Sequence, residues 1–372
     1  MNLPPLYKCT IAVIGLGYVG LPLAIAIANQ KRCILSNKKV QRNIIGFDLD
    51  ISRINELNKG FDRNKISSKN IKNQLKSIEF TNDKNLLKKV DVFIVTVPTP
   101  IDEKNNPNLT FIKEASKLIG ESIRSLDKKK FNKIIIYEST VYPGLTEEIC
   151  IPIIENNSGL THDNPKNEST FFCGYSPERI NPGDSNHTIN NILKVTSGCN
   201  EYVASWIDKF YGSFINAGTF NVSSIRVAEA AKIIENTQRD INIALINELA
   251  ILFKKMGINT QEVLDAADSK WNFQKYLPGL VGGHCIGVDP YYLAFKAKEI
   301  GYDTKLISAG RSINDYMHQY LFEQIILHTK NRNNDIKTEE VLLLGLSYKS
   351  NTGDFRNSQL VDLVKNIKKR EM

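Results

Sequence analysis

Three stretches of this 372-residue chain carry side chains whose types and spacing could do chemistry. The first is Gly282-Gly283-His284-Cys285-Ile286-Gly287-Val288-Asp289-Pro290. A cysteine lodged between glycines lets a substrate come close to the backbone. Its thiolate is a nucleophile, favoured by a nearby cation or helix N-terminus. Asp289, four residues on, could position a water. The same spacing equally suits an inert cysteine buried in a turn. His284 stands beside Cys285 without a set of further ligands, so no metal is expected.

In the second stretch Glu229, Lys232, Asn236 and Asp240 recur every three or four residues, on one face of a helix. They read either as a solvated face with Glu–Lys pairs or as an ammonium and an amide aimed at a developing oxyanion. The third stretch, Gly15-Leu16-Gly17-Tyr18-Val19-Gly20, fits G-x-G-x-x-G, follows an apolar strand and opens a helix. Gly15 would make the turn, Gly17 would admit a pyrophosphate, and Gly20 would pack the helix on the strand. The helix N-terminus would then hold the phosphates. Asp48 closes the second strand. A carboxylate there accepts ribose hydroxyls and repels a 2′-phosphate, so the expected cofactor is NAD rather than NADP. The alternative is a glycine turn without a ligand and an ordinary strand-end Asp.

Such groups need a frame to hold them. Strand-like runs at 11–14, 43–47, 90–97 and 133–137 alternate with helix-like segments such as 21–29. That alternation predicts an α/β fold with a doubly wound parallel sheet. The polar segment 30–43 reads as a surface insertion, 156–169 as a loop and 181–184 as a turn. From 224 to 256, Val227, Ala231, Ile234, Ile241, Leu245, Leu249 and Leu252 recur at helical spacing, with Ser223 or Ser224 to cap the start and Gly257 to end it. A helix of that length spans about 50 Å. It would serve as a connector between two lobes or as a dimer spine. Helices at 260–267, 291–298, 312–329 and 359–369 and a strand at 341–345 complete the frame.

Bulk composition narrows the partners. Lys plus Arg number 48 against 40 Asp plus Glu, a formal charge of +8. The surplus favours anionic partners, although no arginine-rich block stands out and lysine is common on solvated surfaces. With 42% hydrophobic and 24% charged residues, the chain is of ordinary globular type. Disorder and a disulfide-built miniprotein are excluded. Cys9, Cys33, Cys150, Cys173, Cys199 and Cys285 are dispersed and form no C-x-x-C. They read as reduced thiols of a cytoplasmic protein. No apolar run approaches the ~20 residues needed to span a bilayer, so no membrane insertion is expected.

Beyond the glycine turn and the cysteine stretch, further motifs carry a resemblance. They are VPTPID at 97–102, ESTVYPG at 138–144, SPERINPGD at 176–184 and AEAAKIIENTQRDINIALINE at 228–248. LPGLVGGHCIGVDPYYL at 277–293, GRSIND at 310–315 and GLSYKSNTGDFRNS at 345–358 follow. Together, in this order, they resemble the UDP-glucose/GDP-mannose dehydrogenase family. The form GGHCIGVDPYYL is similar to the branch acting on UDP-N-acetylhexosamines, in bacterial capsule and O-antigen synthesis.

The resemblance implies an NAD-dependent 6-dehydrogenase. It would oxidise the C6 hydroxyl of a UDP-N-acetylhexosamine, UDP-N-acetylglucosamine first among them, by two hydride transfers through a thiohemiacetal and a thioester on Cys285. Lys232 and Asn236 match the oxyanion-stabilising pair, Asp289 the water-orienting acid, Glu178 a further acid, and Thr140 a polar group near nicotinamide and substrate. The implied cofactor set is Gly15, Gly17, Tyr18, Val19, Gly20, Asp48, Arg53, Thr99, Thr140 and Lys349. The implied substrate set is Glu178, Arg179, Lys232, Asn236, Gly282, Arg311 and Arg356. UDP and NAD would absorb part of the positive charge with no need for nucleic acid.

The implied domains are an NAD-binding Rossmann-like domain at 1–215 and a central helical, dimerising domain with the cysteine motif at 216–315. A partial UDP-sugar-binding Rossmann-like domain is expected at 316–372, truncated because only the strand at 341–345 and one helix of it are supplied. A homodimer through the central helix is also implied. Two other readings stand beside this one: an inactive remnant that binds NAD or dimerises, and a β-hydroxyacid dehydrogenase.

Overall fold

The computed structural model describes residues 2–64, 71–124, 132–164, 170–180, 188–283, 285–331, 340–347, 355 and 357–369. The chain divides into two compact units, one of residues 1–100 and 107–232, the other of 101–106 and 233–372.

The first unit is an α/β sheet domain. It opens β1 (Thr10–Ile14), α1 (Gly20–Asn29), β2 (Asn43–Phe47), α2 (Ile51–Asn58), α3 (Ile71–Leu75), β3 (Ile78–Thr81) and β4 (Val92–Val95). There follow α4 (Thr110–Ile123), β5 (Lys133–Tyr137), a π-helical turn at Thr146–Cys150, α5 (Ile151–Ser158), β6 (Thr161–His162) and β7 (Thr170–Tyr175). The unit closes with β8 (Lys194–Gly198), α6 (Glu201–Gly212) and β9 (Thr219–Asn221). The strand order is β3-β2-β1-β4-β5-β7-β8-β9, with β6 also on β7. Every pair is parallel except β7 with β8. The central strands β4 (VFIV) and β5 (KIIIY) are buried along their whole length, which is why they read as unbroken apolar runs.

Register decides where the functional residues go. Ile14 pairs with both Phe47 and Val95, Val95 with Tyr137, and Tyr137 with Tyr175. Five parallel strands therefore end level. The residues that follow them, beginning at Gly15, Asp48, Thr96, Glu138 and Ser176, share one edge of the sheet. Ligands of open α/β sheets sit outside this carboxyl edge.

The segment 30–42 is more than a surface insertion. Arg32 and Lys39 form an antiparallel bridge, Cys33 and Val40 are buried, and the Ile34 amide donates to the Ser213 carbonyl. The loop thus packs on the end of α6.

The second unit is helical. It holds most of α7 (Ile225–Met256), together with α8 (Thr260–Asp268), α9 (Asp289–Glu299), α10 (Lys305–Asn331) and α11 (Gln359–Lys368). The expected strand at 341–345 does not form. A strand persists only where a neighbour takes its backbone groups, and no strand of the described residues pairs with this run. Leu342 and Leu344 are accordingly 81% and 85% exposed.

Of the two readings of the α7 polar stripe, the solvated face is the one that the structure does not bear out. Glu229, Lys232, Asp240 and Asn247 are buried, while Val227, Ile234, Leu245 and Leu252 of the apolar stripe are 44 to 56% exposed. The helical period was legible in the sequence. Which face turns inward was not.

Candidate active site

The glycine turn after β1 is braced from within its own unit. Gly15 has φ 93°, and a Cβ there would lie 3.0 Å from the Thr96 carbonyl oxygen. Thr96 Oγ1 donates to the carbonyls of Gly15 (2.7 Å) and Ile14 (3.0 Å). At Gly20, which starts α1, a Cβ would fall 1.9 Å from the Gly15 oxygen. These two glycines are required by the protein's own packing. Gly17 differs, because a Cβ there would meet nothing within 4 Å. Its missing side chain leaves open space beside a helix N-terminus that no side chain caps. Uncapped amides with room in front of them suit a diphosphate. The residues present therefore fit NAD.

Asp48 faces the same turn. Its Oδ2 accepts from the Leu16 amide (2.8 Å) and its Oδ1 from the Asp50 amide (3.0 Å). The carboxylate is oriented, half-exposed, and keeps lone pairs for ribose hydroxyls. Arg53 is buried and braces the turn from below. Its Nε donates to the Leu16 carbonyl (3.0 Å), and its Nη1 pairs with Glu56 (2.6 Å) and Asp62 (2.7 Å). Its charge is thus balanced by protein carboxylates. Tyr18 and Val19 are half-buried on the turn, and Thr99 and Thr140 are half-buried on the loops after β4 and β5.

Behind the same edge lies a buried charge cluster. Lys194 on β8 reaches Glu138 Oε2 at 2.7 Å and Glu178 Oε2 at 3.5 Å. Tyr211 donates to the other oxygen of Glu138. Glu178 Oε1 accepts from the amides of Arg179 (2.6 Å) and Ile180 (2.5 Å). Burial pushes Glu138 up to about 7, against the pull of Lys194. Burial alone would depress Lys194, but Glu138 and Glu178 outweigh it and hold the ammonium above its ordinary value. Arg179 donates to the Leu193 carbonyl at 3.2 Å. On α7, Glu229 accepts from the amides of Gly144 (2.6 Å) and Thr146 (3.0 Å), fixing the loop that follows Thr140. Burial pushes this carboxyl up to about 7 as well. Lys232 is 9% exposed, and its ammonium forms no ion pair among the described residues.

In the helical unit the structure brings three expected residues together. Asn236 Nδ2 donates to Asp289 Oδ2 at 2.5 Å. Asp289 is buried as the first residue of α9, and its amide donates to the Cys285 carbonyl at 2.9 Å. Cys285 is exposed and in no disulfide. The other five thiols are buried or half-buried, and burial pushes Cys9, Cys150 and Cys199 up to about 12. Burial would raise the Cys33 thiol, but hydrogen bonds with Ser36 and nearby backbone outweigh it and hold it below its ordinary value; what sets Cys285 apart is its exposure.

Gly282 is half-buried on the loop before it. Arg311 lies elsewhere in the unit. It is 4% exposed, pairs with Asp240 (2.5 Å) and with Asp315, and stacks on Tyr291. It lines a cavity of about 240 Å³ with Tyr291, Ser308 and Asp315, and none of Cys285, Asn236 and Asp289 lines that cavity. Lys349 and Arg356 lie outside the described residues, as does His284.

Sequence reading missed Glu138, Lys194, Tyr211 and Thr96. Lys194 opens β8, whose sequence KVTSG is largely polar and gives no sign that all five residues are buried. Among the described residues no group of His, Cys, Asp and Glu could hold a metal ion, and no helix is long and apolar enough to cross a membrane.

Comparison with known proteins adds to this geometry. Residues 9–215 match the NAD binding domain of the UDP-glucose/GDP-mannose dehydrogenase family, and residues 226–316 match its central domain. The chain is 50% identical over 358 residues to UDP-N-acetyl-D-glucosamine 6-dehydrogenase of Pseudomonas aeruginosa, covering 96% of this chain and 79% of that protein. It is 46% identical over 359 residues to the protein of the same name from Salmonella typhi, with the same coverage. Among solved structures, UDP-D-ManNAc dehydrogenase from Pyrococcus horikoshii superposes with a TM-score of 0.83 at 31% identity, covering 97% of this chain and 81% of that one.

Two predictions follow from the geometry. Gly17→Val should leave the melting temperature nearly unchanged and weaken NAD binding by about tenfold or more in calorimetry, whereas Gly20→Ala should lower the melting temperature sharply. Equal effects of the two on stability would refute the division of labour among the glycines. Separately, Lys194→Met leaves Glu138 buried without a counter-ion, a loss of about 3–5 kcal/mol. A buried carboxyl raised above its unfolded value is tolerated when protonated and costs stability as pH rises through its folded pKa. Urea unfolding should therefore show a greater loss at about pH 8 than at about pH 5.5. The same loss at both would mean that packing, not charge, is at stake.

Proposed function

This chain belongs to the UDP-glucose/GDP-mannose dehydrogenase family, and from that premise we propose that it oxidises the C6 hydroxyl of UDP-N-acetylglucosamine to the uronic acid. What carries the proposal is Cys285, the one exposed thiol of the six, standing at the start of α9 beside the Asn236–Asp289 pair. The names of the two bacterial relatives at 46% and 50% identity supply the substrate.

NAD, when bound at the glycine turn, supplies hydride acceptance, and oxidising an alcohol to an acid takes two such acceptors per sugar. The protein's own groups do the rest. Cys285 Sγ adds to the aldehyde carbon left by the first oxidation, forming a C–S bond and an oxyanion. The Lys232 ammonium, which forms no ion pair among the described residues, is the cation assigned to steady that charge. The second oxidation leaves a thioester. Water attacks its carbonyl carbon, the C–S bond breaks, and the thiol takes back a proton as the uronic acid leaves.

Asp289 orients that water, and its hydrogen bond from Asn236 fixes the carboxylate that does so. Glu178 receives a proton, in an orientation set by Lys194 and two backbone amides. The Asn236 amide is already engaged by Asp289, so its first effect is to hold the carboxylate and its second to offer its remaining N–H to the oxyanion. The domain assignment that goes with this scheme is NAD binding at 1–215, a central helical domain at 216–315 and UDP-sugar binding at 316–372. A homodimer through α7 completes it. Val227, Ile234, Leu245 and Leu252 put an apolar stripe on the solvent side of that helix, where a second copy would cover it.

Purified protein with NAD and UDP-N-acetylglucosamine should form two NADH per sugar oxidised, and Cys285→Ser should abolish turnover by at least about a thousandfold. One NADH per substrate, insensitive to thiol alkylation, would point to hydroxyacid chemistry instead. Binding of NAD without any UDP-sugar would point to an inactive remnant. For the dimer, Ile234→Glu with Leu245→Glu should shift the protein from two copies to one in light scattering at about 10 μM; an unshifted dimer would place the interface elsewhere.

A further inference from the structure

The loop that leads to Cys285 has no sheet neighbour, yet alternate residues of it are tied down. Asn247 on α7 is fully buried. Its Oδ1 accepts from the Gly279 amide (2.8 Å), while its Nδ2 donates to the Gly279 carbonyl (3.0 Å) and to Asn314 Oδ1 (2.8 Å). Gln359, the first residue of α11, donates from Nε2 to the carbonyls of Val281 (3.0 Å) and Asn314 (2.9 Å). Asn357 donates from Nδ2 to the Gly283 carbonyl (3.4 Å), and its own carbonyl accepts from the Gly283 amide (3.2 Å). Residues 279, 281 and 283 are thus each held by a different amide-bearing residue. Downstream, the Cys285 carbonyl accepts from the amides of Val288 (3.0 Å) and Asp289 (2.9 Å), which fastens it to α9.

Val281 and Gly283 of this loop are buried, and backbone groups shut away from water must find partners, while the exposed Gly279 is held although water could reach it. Here three amide-bearing residues supply them where a neighbouring strand would otherwise do so. Asn247 is itself backed by Asn314, whose Nδ2 donates to the Asp240 carbonyl (2.9 Å) and carboxylate (2.7 Å). On the helix side the network runs back to Asp240, and on the loop side it ends at residues 279, 281 and 283, shortly before the nucleophile. A side chain that reacts at one carbon needs its position set within a fraction of an ångström, and a glycine-rich loop cannot supply that by itself.

We infer that Asn247, Asn357 and Gln359 are positioning residues for the Cys285 thiol, acting through the backbone of residues 279–283. Segment 357–359 therefore helps to set how the thiol is presented. The inference rests on Cys285 as the nucleophile.

The test uses the full chain carrying Asn247→Ala or, as a milder change at a helix end, Gln359→Met. Iodoacetamide labelling of each cysteine is followed by peptide mass spectrometry without substrate, beside kcat and KM for NAD. Both variants should change the Cys285 labelling rate by about fivefold or more while the labelling of Cys199 stays as in the parent. Their kcat should fall about tenfold with KM for NAD held within about twofold. Parental Cys285 labelling in a folded variant would overturn the inference. Because labelling is read without substrate, a parent protein that forms no NADH overturns the proposed activity and leaves this result to stand or fall by itself.

Discussion

A buried polar group must be hydrogen-bonded or ion-paired, or it destabilises the fold by several kcal/mol, and α7 turns its polar face inward. The ties made by that face reach segments well separated along the chain. Glu229 fixes the loop after Thr140 through two amides. Asn236 holds Asp289. Asp240 takes the Arg311 guanidinium and the Asn314 amide, and Asn247 clamps Gly279. The Lys232 ammonium forms no ion pair among the described residues. An apolar inner face would have packed equally well and would have positioned nothing.

The glycine turn works on a complementary constraint, the absence of side chains. Gly15 and Gly20 are forced by backbone and Thr96 contacts of the protein itself. Gly17 is forced by none of these, and a side chain there would enter open space. Asp48 and Arg53 hold the turn through the amide and carbonyl of one residue, Leu16. The family's NAD-binding domain thus rests here on a turn that is preorganised before any dinucleotide arrives, which lowers the ordering cost of binding.

Exposure separates one thiol from the rest. Five thiols are shielded, and most are pushed up by burial, while the exposed sixth lies four residues before α9. Lys194 holds two carboxylates at once. A buried pair of this kind adds little net stability but is costly to break, so it serves orientation of Glu178 more than stability.

Local features were legible from the chain alone. The glycine turn, the buried strands at 43–47 and 133–137 and the span of α7 follow from periodicity and from backbone freedom, both properties of near neighbours. The strand expected at 341–345 failed because a strand is defined by a partner, which no local run can supply. Which face of α7 turns inward stayed open because a helical period marks two faces without saying which one meets protein. Glu138 and Lys194, 56 residues apart, and Asn247 and Gly279, 32 apart, could not be paired from spacing. Residue type and short-range order determined which chemistry was available. The tertiary structure alone decided which charged and amide groups are shut away from water, because desolvation depends on atoms contributed from far along the chain.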